Sequence, residues 1–292
     1  MIRITADMFS GRENPVLEVE RDEANALIQE ISRNQEGVAA LDEGYQGLGY
    51  RGLVVESLAD NIASKYGVPS IFRLAHAGNA KGLEIGDRIA AAMLKARVVD
   101  ESLHKLLVEQ LHALGKASSG EITETDQEPT APAQTEAGTT ASAVCQIELG
   151  AFNPGFWNAP AHIGRNNCYN YASNRRTDTF AQPGRATGHQ ASVMACANVT
   201  AGAISDGLHH RYNCFPPSGN PRWLMALVVA PGYDYHWYRK QKEGFWGHKP
   251  GGTAAKNVDN NGQIVWNPET AARAPYTNFC GYFYACKSQK IT

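Results

Sequence analysis

Three side chains in the second half of the chain have types and an order that could support thiol chemistry. Cys168 lies within residues 166–172, directly after two Asn residues that could cap a helix. The partial positive charge of a helix N-terminus favours an ionised cysteine. His236 and His248 follow later in the chain. An imidazole beside a thiolate can act as base and then as acid, so the three residues suggest a Cys–His–His site.

The elements that must position the two histidines form a predicted hairpin. Residues 234–239 favour a strand, 240–244 a polar turn and 245–248 a returning strand. In an antiparallel pair, the separation of 12 residues (248 − 236) can bring two side chains to one face. If His248 accepts a hydrogen bond from His236, it fixes the tautomer whose free nitrogen faces the sulfur.

This order of a helix-borne cysteine, a strand histidine and a second histidine resembles the NlpC/P60 branch of papain-like cysteine peptidases. The resemblance implies that Cys168 is the nucleophile, His236 the general base and acid, and His248 the orienting group. It also implies cleavage of amide bonds, mostly in peptidoglycan peptides of bacteria, with no cofactor. The sequence departs from the family where Tyr-Asn-Tyr follows the cysteine and where 68 residues separate Cys168 from His236.

Further residues are candidates for supporting roles. An oxyanion hole needs the Cys168 backbone N–H and one more donor. The neighbouring candidates for that donor are Asn166, Asn167 and Tyr169. The alternatives to His248 for the third catalytic position are Asn257 and Asp259.

Structural roles compete with the catalytic ones at each position. Cys168 could be a structural or disulfide-bonded cysteine, His236 a hydrogen-bonded strand residue, and His248 a loop residue. The spacing of Cys and His fits no common zinc module, so no metal is expected. The six cysteines all lie in the second half, at Cys145, Cys168, Cys196, Cys214, Cys280 and Cys286.

The chain divides into two predicted domains of α+β class. Residues 1–115 form a small accessory or binding domain, residues 116–143 an acidic Thr/Ala/Pro-rich flexible linker, and residues 144–292 the candidate hydrolase. In the second domain, helices at 166–175 and 192–205 precede a papain-like antiparallel sheet. The first domain carries strands within 1–20 and at 53–55, and helices at 22–32, 87–96 and 100–114.

Composition excludes several classes of function. The formal net charge of −2 over 292 residues gives no electrostatic basis for binding nucleic acid. No apolar run reaches the roughly 18 residues of a membrane span. The N-terminus lacks the features of a signal peptide, which predicts a cytoplasmic protein with reduced thiols, or export without a standard signal.

These observations predict a cysteine hydrolase or acyltransferase acting on an amide bond, and the resemblance implies a peptidoglycan-type peptide as its substrate. The expected partners are a peptide or amide substrate and, through residues 1–115, a protein. Two alternatives stay open: a non-catalytic, aromatic-rich binding domain, and a secreted effector or toxin module.

Overall fold

The computed structural model describes residues 1–58, 62–74, 80–117, 147–211 and 222–292. These residues form two five-stranded antiparallel sheets and several helices, so the predicted α+β class is confirmed. The strands are β1 (Ile2–Asp7), β2 (Val16–Val19), β3 (Val38–Ala39), β4 (Gly52–Ser57), β5 (Ile71–Leu74), β6 (His209–His210), β7 (Arg222–Ala230), β8 (Asp234–Lys240), β9 (Trp246–His248) and β10 (Asn278–Cys286). The helices are α1 (Arg21–Ser32), α2 (Ile62–Lys65), α3 (Ala80–Lys95), α4 (Glu101–Ala117), α5 (Pro154–Asn158), α6 (Cys168–Ala172) and α7 (Cys196–Ser205).

The first sheet has the strand order β2-β1-β4-β5-β3. Ile4 of β1 lies opposite Leu17 and Val55, and all three are buried. The adjacent residue, Arg3, points to the other face and forms an exposed ion pair with Glu18. This alternation along β1 shows that one face of the sheet supplies the core and the other faces solvent.

The second sheet has the order β6-β10-β7-β8-β9, with β7 at its centre. Strand β7 matches the apolar run in the sequence, and its described residues are mostly buried on both faces. Ala226 and Val228 belong to the larger core cluster. Leu227 and Val229 point the other way and pack in a second cluster with residues of α6 and α7. The second sheet is therefore covered on both sides.

Residues from both halves of the sequence share the larger core cluster. It contains Ile4 and Phe9 from the first half as well as Tyr233 and Tyr276 from the second. The predicted linker, residues 116–143, lies almost wholly outside the described residues. The division into domains at residues 1–115 and 144–292 therefore stays a prediction.

Two further features concern the chain's environment. No helix among the described residues is long and apolar enough to cross a membrane. Cys196 at the start of α7 forms a disulfide with Cys280 of β10, whereas reduced thiols were the simpler expectation. Cys168 and Cys286 are free. Cys145 and Cys214 lie outside the described residues.

Candidate functional site

The predicted capping of the cysteine helix is confirmed. The Asn167 side-chain oxygen accepts hydrogen bonds from the backbone N–H groups of Tyr169 (3.0 Å) and Asn170 (3.1 Å), and the Asn170 side chain accepts from the Asn167 N–H. This reciprocal capping box satisfies donors that the first turn would leave unpaired. Helix α6 ends at Ala172, earlier than expected, because Asn174 adopts a left-handed backbone conformation with φ of 53°.

A buried lysine that the sequence analysis gave no role fixes the approach to this helix. The Lys249 ammonium donates to the backbone carbonyls of Ile163 (2.6 Å), Asn166 (2.5 Å) and Gly251 (2.8 Å). Burial lowers the pKa of Lys249 to about 7. The hydrogen bonds tie the segment before Cys168 to the residues after β9. A lysine next to Pro250 carries no local signal of burial in the sequence.

The Cys168 thiol is fully buried and neutral. Its exposed fraction is 0%, and burial, followed by the charge of Asp234, raises the pKa well above the ordinary thiol value. A hydrogen bond from the Trp237 backbone opposes the rise without reversing it. Activated cysteines have a depressed pKa and partial exposure, so Cys168 is not an activated thiolate in this conformation.

The structure brings the two predicted histidines together. His236 Nε2 and His248 Nδ1 are 2.9 Å apart, and His248 Nε2 lies 2.8 Å from the Val258 carbonyl oxygen. Burial lowers the pKa of His248 to about 3 and that of His236 well below its ordinary value, so both rings are neutral at pH 7.

These contacts determine the tautomers. A carbonyl oxygen can only accept, so His248 Nε2 carries the proton donated to Val258, and His248 Nδ1 is an acceptor. His236 Nε2 must then donate to His248. His236 Nδ1 is left with a lone pair, and it is buried without a hydrogen-bond partner among the described residues. His236 thus donates to His248, as expected, whereas a free His236 nitrogen that faces the Cys168 sulfur stays a prediction.

The histidine pair and the cysteine contact different surroundings. The His236 ring packs against Tyr238 and Tyr276, with ring centroids 4.8 and 5.7 Å away. Cys168 instead packs in the cluster that contains Trp237, the residue on the opposite face of β8. No hydrogen bond joins the Cys168 sulfur to either imidazole in the described part of the chain. The catalytic assignment of the three residues stays a prediction.

The candidate oxyanion residues have clear structural contacts. Asn166 donates to the His162 carbonyl and to the Asp178 carboxylate. The Tyr169 hydroxyl donates to Asp206 at 2.9 Å. Asn167 is the helix cap. Each side chain therefore organises the fold around α6.

The alternative third members lie in the loop beyond β9. The Asp259 carboxylate accepts from the backbone N–H groups of Asn261, Gln263 and Ala272. The Asn257 backbone carbonyl accepts from Val265. It is the carbonyl of the residue between them, Val258, that binds the His248 ring.

Metal-binding groups and the exposure of the tryptophans bear on what else this site could bind. The described residues contain no group of three or more His, Cys, Asp or Glu side chains that could hold a metal ion. Of the tryptophans, Trp157, Trp237 and Trp246 are buried, while Trp266 is 54% exposed.

The fold and site define an α+β protein with a buried, neutral cysteine, a separate buried pair of neutral histidines, and a disulfide that ties α7 to β10. A 142-residue region, 49% of this chain, is 43% identical to insoluble matrix shell protein 1 of Ruditapes philippinarum and spans 92% of that protein. The chain therefore belongs to the family of that shell matrix protein. No family model matches the chain, and no solved structure matches it.

The resemblance to NlpC/P60 peptidases is wrong, and with it the classification as a bacterial thiol protease or amidase. The similarity to a mollusc shell matrix protein overturns both. The physical reason for the error is that a capped cysteine and two histidines on paired strands also fit separate, buried structural positions. All three side chains are at most 1% exposed, and sequence spacing carries no information about that burial.

Proposed function

We propose that the chain is a non-enzymatic component of an extracellular protein matrix. The observation that carries this proposal is its 43% identity with a protein named for an insoluble shell matrix, across 92% of that protein's length. The disulfide between Cys196 and Cys280 supports it, since such bonds persist in oxidising compartments. Export from the cell is part of the proposal.

In this role Cys168 and the histidine pair each give internal support to the fold. A neutral thiol and two neutral imidazoles, all buried, contribute packing and hydrogen bonds rather than reactivity. The histidine pair joins β8 to β9 and, through Val258, to the loop that follows.

Retention on an insoluble matrix tests the proposal. The full chain, fluorescently labelled, would be incubated with insoluble shell matrix from Ruditapes philippinarum and washed. We expect saturable retention, unchanged by Cys168→Ala, while an unrelated protein of similar size and charge washes off. Retention no greater than that of the unrelated protein, or loss of retention in Cys168→Ala, would overturn it.

Thiol-dependent acyl transfer is the second candidate, favoured by the lone pair on His236 Nδ1, which has no hydrogen-bond partner among the described residues. That reaction needs a conformation in which His236 Nδ1 reaches the Cys168 sulfur. The sulfur would then attack an acyl carbonyl while its proton passes to His236 Nδ1. The leaving group would then depart with that proton, leaving a thioester on the sulfur.

Alkylation rates separate the two candidates. A buried thiol with a raised pKa reacts with iodoacetamide at least about 100-fold more slowly than the same cysteine in the urea-unfolded chain. We expect this slow reaction. Rapid labelling of Cys168 below pH 7 in the folded chain, abolished by His236→Gln, would instead favour acyl transfer.

A further inference from the structure

A short loop of the first half is buried against the second half of the chain. Residues 10–12, Ser-Gly-Arg, follow β1, and Ser10 is fully buried. The loop's hydrogen-bond partners in the second half lie more than 150 residues along the chain.

Three side chains converge on one backbone oxygen of this loop. The Gly11 carbonyl accepts from Asn167 Nδ2 and Gln182 Nε2, each at 2.8 Å. These two amide donors match the two lone pairs of the carbonyl oxygen. The Tyr235 hydroxyl lies 3.1 Å from the same oxygen and 3.0 Å from Gln182 Oε1, and its one proton is shared between them. All three side chains belong to fully or almost fully buried residues of the second half. They form a site shaped for a peptide carbonyl.

A buried carboxylate receives the backbone N–H groups of the same loop. Asp234 at the start of β8 accepts from the N–H of Ser10 (2.5 Å), Arg12 (3.0 Å) and Gly11 (3.3 Å). The Tyr276 hydroxyl donates to the same carboxylate at 2.5 Å. Hydrogen bonds to a charged acceptor are roughly twice as strong as neutral ones. The site therefore recognises both donors and acceptors of a peptide backbone.

The site also selects side chains. A Cβ on Gly11 would lie 2.4 Å from the Tyr235 ring, which is buried and held by its own hydrogen bonds. Only glycine fits at this position. The Arg12 guanidinium donates to the Tyr233 carbonyl at 2.7 Å and lies 4.6 Å from the centre of the Phe9 ring.

We infer that Asn167, Gln182, Asp234 and Tyr235 form a peptide-binding socket. Its ligand class is a polypeptide segment of the form small residue–Gly–Arg, and residues 10–12 fill it as an intramolecular ligand. The socket adjoins Cys168, since Asn167 both caps α6 and binds the loop. This inference goes beyond the proposed matrix role and does not depend on it.

The tethered loop competes with any external peptide. A tethered segment has an effective concentration on the order of millimolar or more, so it keeps most sockets filled. The apparent affinity for an external peptide is then the intrinsic affinity of an empty socket multiplied by the fraction of sockets that are empty. A change that expels the loop should reveal the site.

Gly11→Ala in the full chain is that change. The probe is a fluorescein-labelled synthetic peptide copying residues 7–15, followed by fluorescence polarisation. We expect Gly11→Ala to bind it at least about tenfold more tightly than the wild-type chain. Gly164→Ala is the matched control because a Cβ at this exposed glycine meets nothing within 4 Å, and it should behave as wild type.

Two further arms make the test specific. A probe with alanine in place of its glycine should not bind, and adding Asp234→Asn to Gly11→Ala should weaken binding of the normal probe about tenfold or more. If folded Gly11→Ala fails to bind the probe, or binds both probes equally, the socket assignment is wrong.

Hydrogen exchange in the wild-type chain covers the case in which Gly11→Ala does not fold. The amides of residues 10–12 should then exchange at least about 100-fold more slowly than unstructured amides, because Asp234 accepts all three. Unprotected amides at all three positions would overturn the inference. Neither measurement uses the matrix, so failure here is distinct from failure of the proposed function.

Discussion

At the scale of single residues, the histidine pair shows how burial changes chemistry. An exposed histidine titrates near pH 6.5, whereas burial lowers the pKa of His248 to about 3 and that of His236 well below the ordinary value. The folded state therefore binds fewer protons than the unfolded state once the pH falls below about 6.5. Stability must fall as the solution is acidified.

The pH dependence of unfolding tests this shift. Between about pH 6 and pH 4, each buried histidine should reduce the free energy of unfolding by about 1.4 kcal/mol per pH unit. Urea titrations across that range measure the slope. His236→Gln/His248→Gln should flatten it, whatever the variant's absolute stability. His112→Gln, at an exposed residue paired with Asp87, is the control and should leave the slope nearly unchanged.

At the scale of elements, local patterns gave the positions of strands but not of tertiary contacts. Strand β7 coincides with a nine-residue, largely apolar run that ends at Pro231-Gly232, a strong turn signal, so its position can be inferred from the sequence. Strand β5 was missed because four residues without clear alternation give a weak pattern.

The site could be predicted only in part, for the same reason. The His236–His248 contact follows from a hairpin, which is local. The contact between Asp234 and residues 10–12 joins positions more than 220 residues apart, and no periodicity encodes it. Burial of Cys168 requires the packing of α6 against β8, so the raised pKa of its thiol could not be predicted from local sequence patterns.

The cap of α6 gives a prediction at this scale. Asn167→Ala removes two accepted hydrogen bonds at the helix start and two donated to the Gly11 and Ala181 carbonyls. We expect a loss of about 2–4 kcal/mol in the free energy of unfolding, measured in urea, since buried partners are left unsatisfied.

A second asparagine cap supplies the comparison for that variant. Asn153 caps α5 at an exposed position, with a single hydrogen bond from the Phe156 N–H. Asn153→Ala should cost no more than about 1 kcal/mol. Equal losses in the two variants would contradict a role for Asn167 beyond capping.

At the scale of the whole molecule, the disulfide closes a long loop within the second half. Cys196 and Cys280 are 84 residues apart in sequence, and the bond ties α7 to β10. Chain-entropy arguments give about 4–5 kcal/mol of stabilisation for a loop of this length. Cys196→Ala/Cys280→Ala should lose most of this stabilisation, measured as the free energy of unfolding in urea. A reductant should destabilise the wild type, whereas the variant no longer has this bond to reduce. Equal stability of variant and oxidised wild type would show that the bond contributes nothing.

A buried ion cluster of the first half lies next to the loop of residues 10–12. Arg51 binds Asp7 through two nitrogens at 2.6 and 3.1 Å and donates to the Phe9 carbonyl at 2.7 Å. Arg73 lies 3.5 Å from the same carboxylate. Burial would raise the pKa of Asp7, but the two arginines outweigh it, so the pKa is lowered.

The lowered pKa determines how this cluster responds to acid. A carboxyl with a depressed folded pKa stabilises the fold above its unfolded pKa of about 3.9, and this contribution is lost as the pH falls further. Asp7→Asn leaves Arg51 buried without a counter-charge and should cost about 3–5 kcal/mol at pH 7 in urea unfolding. The difference in stability between Asp7→Asn and wild type should shrink at pH 3.

Glu18→Gln, which removes an exposed partner of Arg3, is the control and should change stability by no more than about 1 kcal/mol at either pH. A difference between Asp7→Asn and wild type that stays constant from pH 7 to pH 3 would mean that the Asp7 charge does not stabilise the fold.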